Sequence, residues 1–300
     1  MKKLLIASVL VAASAAASAQ VTISGKFSEW YDSTKVGGTR TGTMYTEPTS
    51  NITIGVKEDL GGGLAARAVV ETTLGATNTV DGSNNTQLGD RQSTVGLVSK
   101  LGSVDLGRNV HSQFLSVANN DPFAALYGTI AGDVHNLRGL RFSNGAFVAT
   151  NLGPVTATYD RSNNANSALD ATSASLGARL GPVNAVVANY TSANGEEKST
   201  VVGANAKFGN TSVFYSHSDN HSQTVGETKK GDLIGASQRV GNVTAKASYG
   251  RTNTEVKAYN VGFDYHLSKR TEVGVAYRSV DVAGSAQDVK QFGVGLTHRF

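Results

Sequence analysis

Arg67 and Glu71 stand four residues apart in Leu64-Ala65-Ala66-Arg67-Ala68-Val69-Val70-Glu71. At a two-residue period both fall on one face, opposite Leu64, Ala66, Ala68 and Val70. Fixed charge on such a face orients and sorts ions and polar solutes without transforming them. Arg91 adds a further basic group. Arg108 and Arg141 bracket the longest excursion between strand-like stretches, which carries Asp121, Pro122, Phe123, Tyr127, Asp133, His135 and Arg138.

Reactive chemistry finds less support. His217 and His221 are four apart but fall in a stretch read as a loop, which makes paired metal ligation a poor reading. Gly195-Glu196-Glu197-Lys198-Ser199-Thr200 shares only its Lys-Ser with a phosphate loop and lacks the glycine spacing. No G-x-S-x-G occurs. No cofactor or metal site is implied.

The elements that must hold these charges are short alternating strands. Ile52, Ile54 and Val56 alternate with Thr53, Gly55 and Lys57; Val261, Phe263, Tyr265 and Leu267 alternate with Asn260, Gly262, Asp264 and His266. The final stretch does the same, with Phe292, Val294, Leu296, His298 and Phe300 on one side and Gln291, Gly293, Gly295, Thr297 and Arg299 on the other. Short turns recur, as at Leu152-Gly153-Pro154-Val155, Leu180-Gly181-Pro182-Val183, Phe208-Gly209-Asn210-Thr211 and Val240-Gly241-Asn242-Val243. Leu267-Ser268-Lys269-Arg270-Thr271 is a polar variant. Glycine supplies the backbone angles of a tight hairpin. Longer polar stretches, such as 81–86, 162–166 and 218–221, fall between them. Seven short turns and eight long loops join sixteen strands, with both chain ends on the short-turn side.

This pattern predicts an all-β fold, a sixteen-stranded antiparallel transmembrane β-barrel. In hydrocarbon every backbone N–H and C=O needs a partner, so a spanning sheet must close. The last strand is therefore expected to pair with the first, Val21 to Tyr31. A β-sandwich also alternates, but it needs large core residues on one face. The apolar face here is thin, rich in Ala and Val, and the hydrophobic fraction is only 39%. Tyr159, Tyr190, Tyr215, Tyr249 and Tyr277 each follow a short turn by a similar offset and are expected to form one interfacial girdle. Phe208, Phe263, Tyr265, Phe292 and Phe300 are candidates for the other.

The first residues read as a targeting segment. Met1-Lys2-Lys3 is basic, residues 4–17 are apolar and small, and Ala17-Ser18-Ala19 fits a cleavage site. The expected organisation is a signal peptide over 1–19 and one barrel over 20–300. Without Lys2 and Lys3 the chain has 25 basic and 23 acidic residues, an excess too small to suggest nucleic acid. There is no cysteine, so no disulfide holds the fold.

Phe-Gly-Val-Gly-Leu-Thr-His-Arg-Phe (292–300) resembles the C-terminal strand of the trimeric general porins of Gram-negative bacteria, especially the beta-proteobacterial and neisserial type. Residues 52–71, 89–109 and 137–145 resemble that family's second hairpin, its third and fourth strands, and the segment leaving its constriction loop. The resemblance implies a water-filled barrel in the outer membrane, among lipid and lipopolysaccharide. It implies a homotrimer passing small hydrophilic solutes and ions, with an inward-folded third loop. Phe300 matches the signal that the outer-membrane insertion machinery reads. The resemblance matches Arg91 and Arg141 to the family's basic residues; with Arg67 and Arg138 they are the candidates for the basic side of the constriction, and Glu71, Asp121 and Asp133 are those for the acidic side. Two departures leave ion preference open: Thr53 stands where the family often has Arg, and Asp121-Pro122-Phe123-Ala124-Ala125 replaces Pro-Glu-Phe-Gly-Gly. A mild anion preference is expected, with a basic lining from Arg179, Lys207, Arg239, Lys246 and Arg278. A channel specific for anionic nutrients is the alternative, and a barrel enzyme a more distant one.

Overall fold

The computed structural model describes residues 19–75, 87–135, 140–163, 170–193, 195–222, 227–284 and 288–300. Most of the expected signal peptide and Arg138 lie outside the described residues. Seventeen strand runs form one antiparallel sheet. They are β1 (Gln20–Val36), β2 (Thr39–Thr46), β3 (Asn51–Gly61), β4 (Leu64–Thr73), β5 (Gln92–Ser99) and β6 (Gly102–Val110). After them come β7 (Arg141–Leu152), β8 (Val155–Ser162), β9 (Ala171–Leu180), β10 (Val183–Ser192), β11 (Glu197–Phe208) and β12 (Thr211–Ser222). The rest are β13 (Glu227–Val240), β14 (Val243–Thr252), β15 (Val256–His266), β16 (Thr271–Val282) and β17 (Val289–Arg299). Helices α1 (Ser112–Ala118) and α2 (Ala131–His135) lie between β6 and β7.

The wall nevertheless has sixteen strand positions, because β2 and β3 share one. β2 pairs with the Glu29–Val36 part of β1 and β3 with its Gln20–Lys26 part. Residues Glu47 to Ser50 step out between them. The seam joins β1 to β17, from Lys26↔Arg299 to Val36↔Val289. Gly25 and Phe300 then exchange both backbone hydrogen bonds at 3.0 Å. The closing partner is thus Lys26–Val36, not Val21–Tyr31. A closed barrel staggers its register, and here the stagger leaves residues 21–24 bonded only to β3.

Two-residue turns link Leu152 to Val155, Leu180 to Val183, Phe208 to Thr211 and Val240 to Val243. Their first residues, Gly153, Gly181, Gly209 and Gly241, have φ of 63, 60, 62 and 57°. The second residues stay out of the left-handed region, which is the II′ pattern that matches strand twist. In the polar variant the Ser268 hydroxyl accepts from Arg270 N and Thr271 N at 3.1 and 3.0 Å.

Alternation sets the two faces. Phe292, Val294, Leu296, His298 and Phe300 are exposed, while Gly293, Gly295 and Thr297 are covered. Each large apolar side chain moved from water to hydrocarbon contributes roughly 1.5–3 kcal/mol. The exposed apolar face is therefore stable only against lipid. Tyr159, Tyr215 and Tyr249 lie on it. Tyr190 does not: it is buried on the opposite face, its ring 6.1 Å from that of Phe142 and 5.5 Å from that of His111. Offset from a turn fixes height along the barrel, but parity fixes the face, and in β10 parity sends Val187 and Asn189 out. A second correction concerns β12, which continues to Ser222 and so takes up the stretch 218–221 expected as loop. His217 and His221 each bond separately to β13, through Asp232 at 2.9 Å and Thr228 at 3.2 Å.

Candidate functional site

The excursion between β6 and β7 lies against the polar face of the wall along most of its described length. His111 caps α1, its Nδ1 accepting from Phe114 N at 3.4 Å. Ser112 N donates to Asp160 of β8 at 2.6 Å, Gln113 N to Ser173 of β9 at 3.0 Å, and Gln113 Nε2 to Ser199 of β11 at 2.9 Å. At the other end His135 sits fully buried between the hydroxyls of Ser218 (2.9 Å) and Ser216 (2.8 Å). Burial lowers its pKa to about 4, with His217 and Lys229 acting in the same sense and Asp232 against. Val117, Ile130 and Val134 form a small apolar core with Val201, Leu233, Ala258 and Val280 of the wall.

The middle of the segment reaches the seam. Tyr127 stacks on Trp30 with ring centres 4.1 Å apart, and its hydroxyl donates to Asp32. Its pKa is raised, first by burial and then by Asp32. Tyr127 N donates to Glu47 at 3.1 Å, and Glu47 is ion-paired with Lys26 at 3.0 Å. Gly128 O accepts from Asn260 at 2.7 Å. The step-out of Glu47 between β2 and β3 is what brings its carboxylate to this point.

Glycine makes the seat. A Cβ on Gly295 or Gly274 would fall 2.2 or 2.5 Å from the Trp30 ring, and one on Gly293 would fall 2.2 Å from the Tyr127 hydroxyl. Phe123 occupies the space over Gly262, Pro122 that over Gly235, and Asn120 that over Gly203, each within 2.8 Å of the missing Cβ. Mid-strand glycine marks close approach by another chain segment. These positions alternate onto the polar face in the sequence, so that signal was present, but the loop it receives could not be read from it.

The expected site residues separate into groups. Arg67 pairs with Asp105 across β5, Nε to Oδ1 at 2.7 Å, passing over Gly96, where a Cβ would meet Asp105 Oδ1 at 2.3 Å. Arg91 pairs with Glu71, which also accepts from Asn51 at 2.8 Å. Arg141 lies in the electrostatic field of Arg91, Glu71, Arg108 and Asp90. Arg108 donates to Asp90 O at 2.6 Å. Three guanidinium groups thus face two carboxylates in one cluster.

The two acidic residues of the segment lie elsewhere. Asp121 is buried and holds its own turn, accepting from Phe123 N (3.1 Å), Ala125 N (3.0 Å) and Thr129 Oγ1 (2.6 Å). Burial raises its pKa against those bonds. Asp133 pairs with Arg278 of β16 at 2.9 Å; burial raises its pKa and Arg278 opposes this. Arg108, Glu47 and Trp30 are not among the expected site residues; Arg278 is expected only as part of a basic lining, and Tyr127 only as a residue of the excursion. Their partners are tens to hundreds of residues away in sequence, so spacing gives no hint of them.

A closed sheet with an exposed apolar face and a charged polar face defines a membrane-spanning channel barrel. The chain belongs to the Gram-negative porin family, whose profile it matches over residues 7–285. This places it in the outer membrane as a passive channel. No curated protein matches it in sequence. Among solved structures, an anion-selective porin from Comamonas acidovorans superposes with TM-score 0.81 at 19% identity, covering 94% of this chain and 100% of that one. OmpT of Vibrio cholerae in its trimer form gives 0.73 at 12% identity, over 94% of this chain and 100% of that one. Salmonella typhi OmpF gives 0.70 at 16%, over 93% and 97%.

Proposed function

We propose that the 111–135 segment lies in the water-filled interior and narrows it, and that Arg91, Arg108 and Arg141 bias the opening toward anions. The observation that carries this is the face on which the segment packs. Asn120, Pro122, Phe123 and Tyr127 sit over Gly203, Gly235, Gly262 and Gly293. The strand neighbours of those glycines, Val202, Ile234, Val261 and Phe292, are exposed on the other face. In a closed sheet whose exposed apolar face meets lipid, the opposite face is the interior.

The solutes are small and hydrophilic, moved by diffusion alone. A homotrimer with lipid and lipopolysaccharide around it fits the family, and Phe300, placed at the seam, suits an assembly signal. The preference for anions rests on the cluster of three guanidinium groups against two carboxylates. Reversal potentials across a potassium chloride gradient test it. Arg91→Ser and Arg141→Ser should each weaken the anion preference; an unchanged potential in both removes these arginines from the opening. A slow-migrating band on an unheated gel, lost on boiling, tests the trimer.

A further inference from the structure

A cavity of about 550 Å³ lies between α1 and the polar face of β8 to β11. Its roof is Leu115, Ser116, Asn119 and Asn120; its floor includes Thr158, Gly177, Arg179, Asn184 and Val186. A volume of about 300–1,000 Å³ is the usual range for small-molecule sites. We propose that it binds a small organic carboxylate with an apolar body, held by Arg179 on the way through the channel. This rests on the channel reading above and adds a solute class and a stopping place to it.

The charge of the lining is the first argument. Among the described residues, Arg179 is its one charged side chain and no carboxylate lines it. Arg67, Arg91 and Arg278 are each matched by a wall or segment carboxylate. Arg179 therefore offers a guanidinium fork to an anion from outside the chain, and a carboxylate fits that fork with two parallel hydrogen bonds.

Hydrogen bonding among the neighbours is the second. Asn184 Nδ2 donates to Asn205 at 2.9 Å, and Asn205 Nδ2 donates to Asn119 O and Asn120 Oδ1, both at 3.1 Å. Thr158 is paired with Ser175 at 2.6 Å, and Thr156 donates to Asn151 at 2.9 Å. These groups are largely engaged with one another, which disfavours a sugar, whose many hydroxyls need partners. The third argument is apolar surface. Leu115 is exposed on α1, and Pro154 and Val186 stand on the wall side. They give a hydrocarbon body a place to lie while its carboxylate meets Arg179.

Benzoate is the probe, with benzyl alcohol as its uncharged analogue and inorganic phosphate as an anion without a body. In single-channel recordings benzoate should interrupt the current at concentrations where the other two do not. Arg179→Gln should weaken the block at least about tenfold, as expected for loss of a charge-assisted pair. Equal block by benzoate and phosphate, or equal block in Arg179→Gln, overturns the proposal. A protein that forms no channels would overturn the channel reading instead. Binding of benzoate to the detergent-solubilised protein, measured by calorimetry with and without Arg179→Gln, then decides the site by itself.

Discussion

Trp30, on the first strand of the barrel, and Tyr127, in the middle of the long segment, stack with ring centres 4.1 Å apart and planes 12° from parallel. The pair is possible because Gly274, Gly293 and Gly295 leave the wall beneath it bare. Stacked rings of this kind contribute about 0.5–1.5 kcal/mol beyond the area they bury. Gly295→Val would drive its side chain into the indole. We expect the segment to be displaced, with raised conductance and new protease cleavage between 119 and 130. A variant with native conductance and native protease resistance would show that the seat is not what holds the segment.

Arg67 and Asp105 offer a test of coupling within the wall. Asp105 is buried, so Arg67→Met leaves a carboxylate without its partner. This should cost about 1–3 kcal/mol in denaturant unfolding. The double variant Arg67→Met/Asp105→Asn should recover most of the loss, because neither side then carries an unmatched charge. Additive losses would mean that the two residues act separately.

Acid should loosen the end of the segment at α2. The His135 ring is held neutral, its pKa lowered to about 4. A free histidine begins to protonate near pH 6.5, so the undocked segment takes up the proton first. Docking is therefore at full strength above about pH 6.5 and weakens as pH falls toward 4, by roughly 3 kcal/mol in all. Asp121 and Asp133 act in the opposite sense, since burial raises both pKa values. Conductance noise rising between pH 6.5 and 5 in the native protein, and absent in His135→Gln, is the expected pattern. Identical pH profiles would assign the effect to other groups.

Glu71 neutralises part of the arginine cluster through its contact with Arg91. Glu71→Gln should raise anion preference at low salt, and the gain should shrink as ionic strength approaches 1 M, where screening acts over about 3 Å. A shift toward cations would place the cluster away from the ion path.

The barrel itself was legible because lipid imposes a strict two-residue code. Phe292 to Phe300 read correctly residue by residue, and so did the glycine turns. What failed were properties that a single strand does not encode. The partner span of β1 depends on stagger summed around the whole wall. The face of Tyr190 depends on which parity β10 adopts next to its neighbours. The site was legible only as a set of charges. That Asp133 meets Arg278, or that Asp121 serves its own turn, is decided by how one excursion lands on distant strands.

The hollows over Gly203, Gly235, Gly262 and Gly293 are cut to fit one occupant: Asn120, Pro122, Phe123 and Tyr127. Swapping in the corresponding stretch of another barrel would leave sockets without matching pegs. Redesign of this segment thus begins with the cylinder, which carries a mould of the insert it holds.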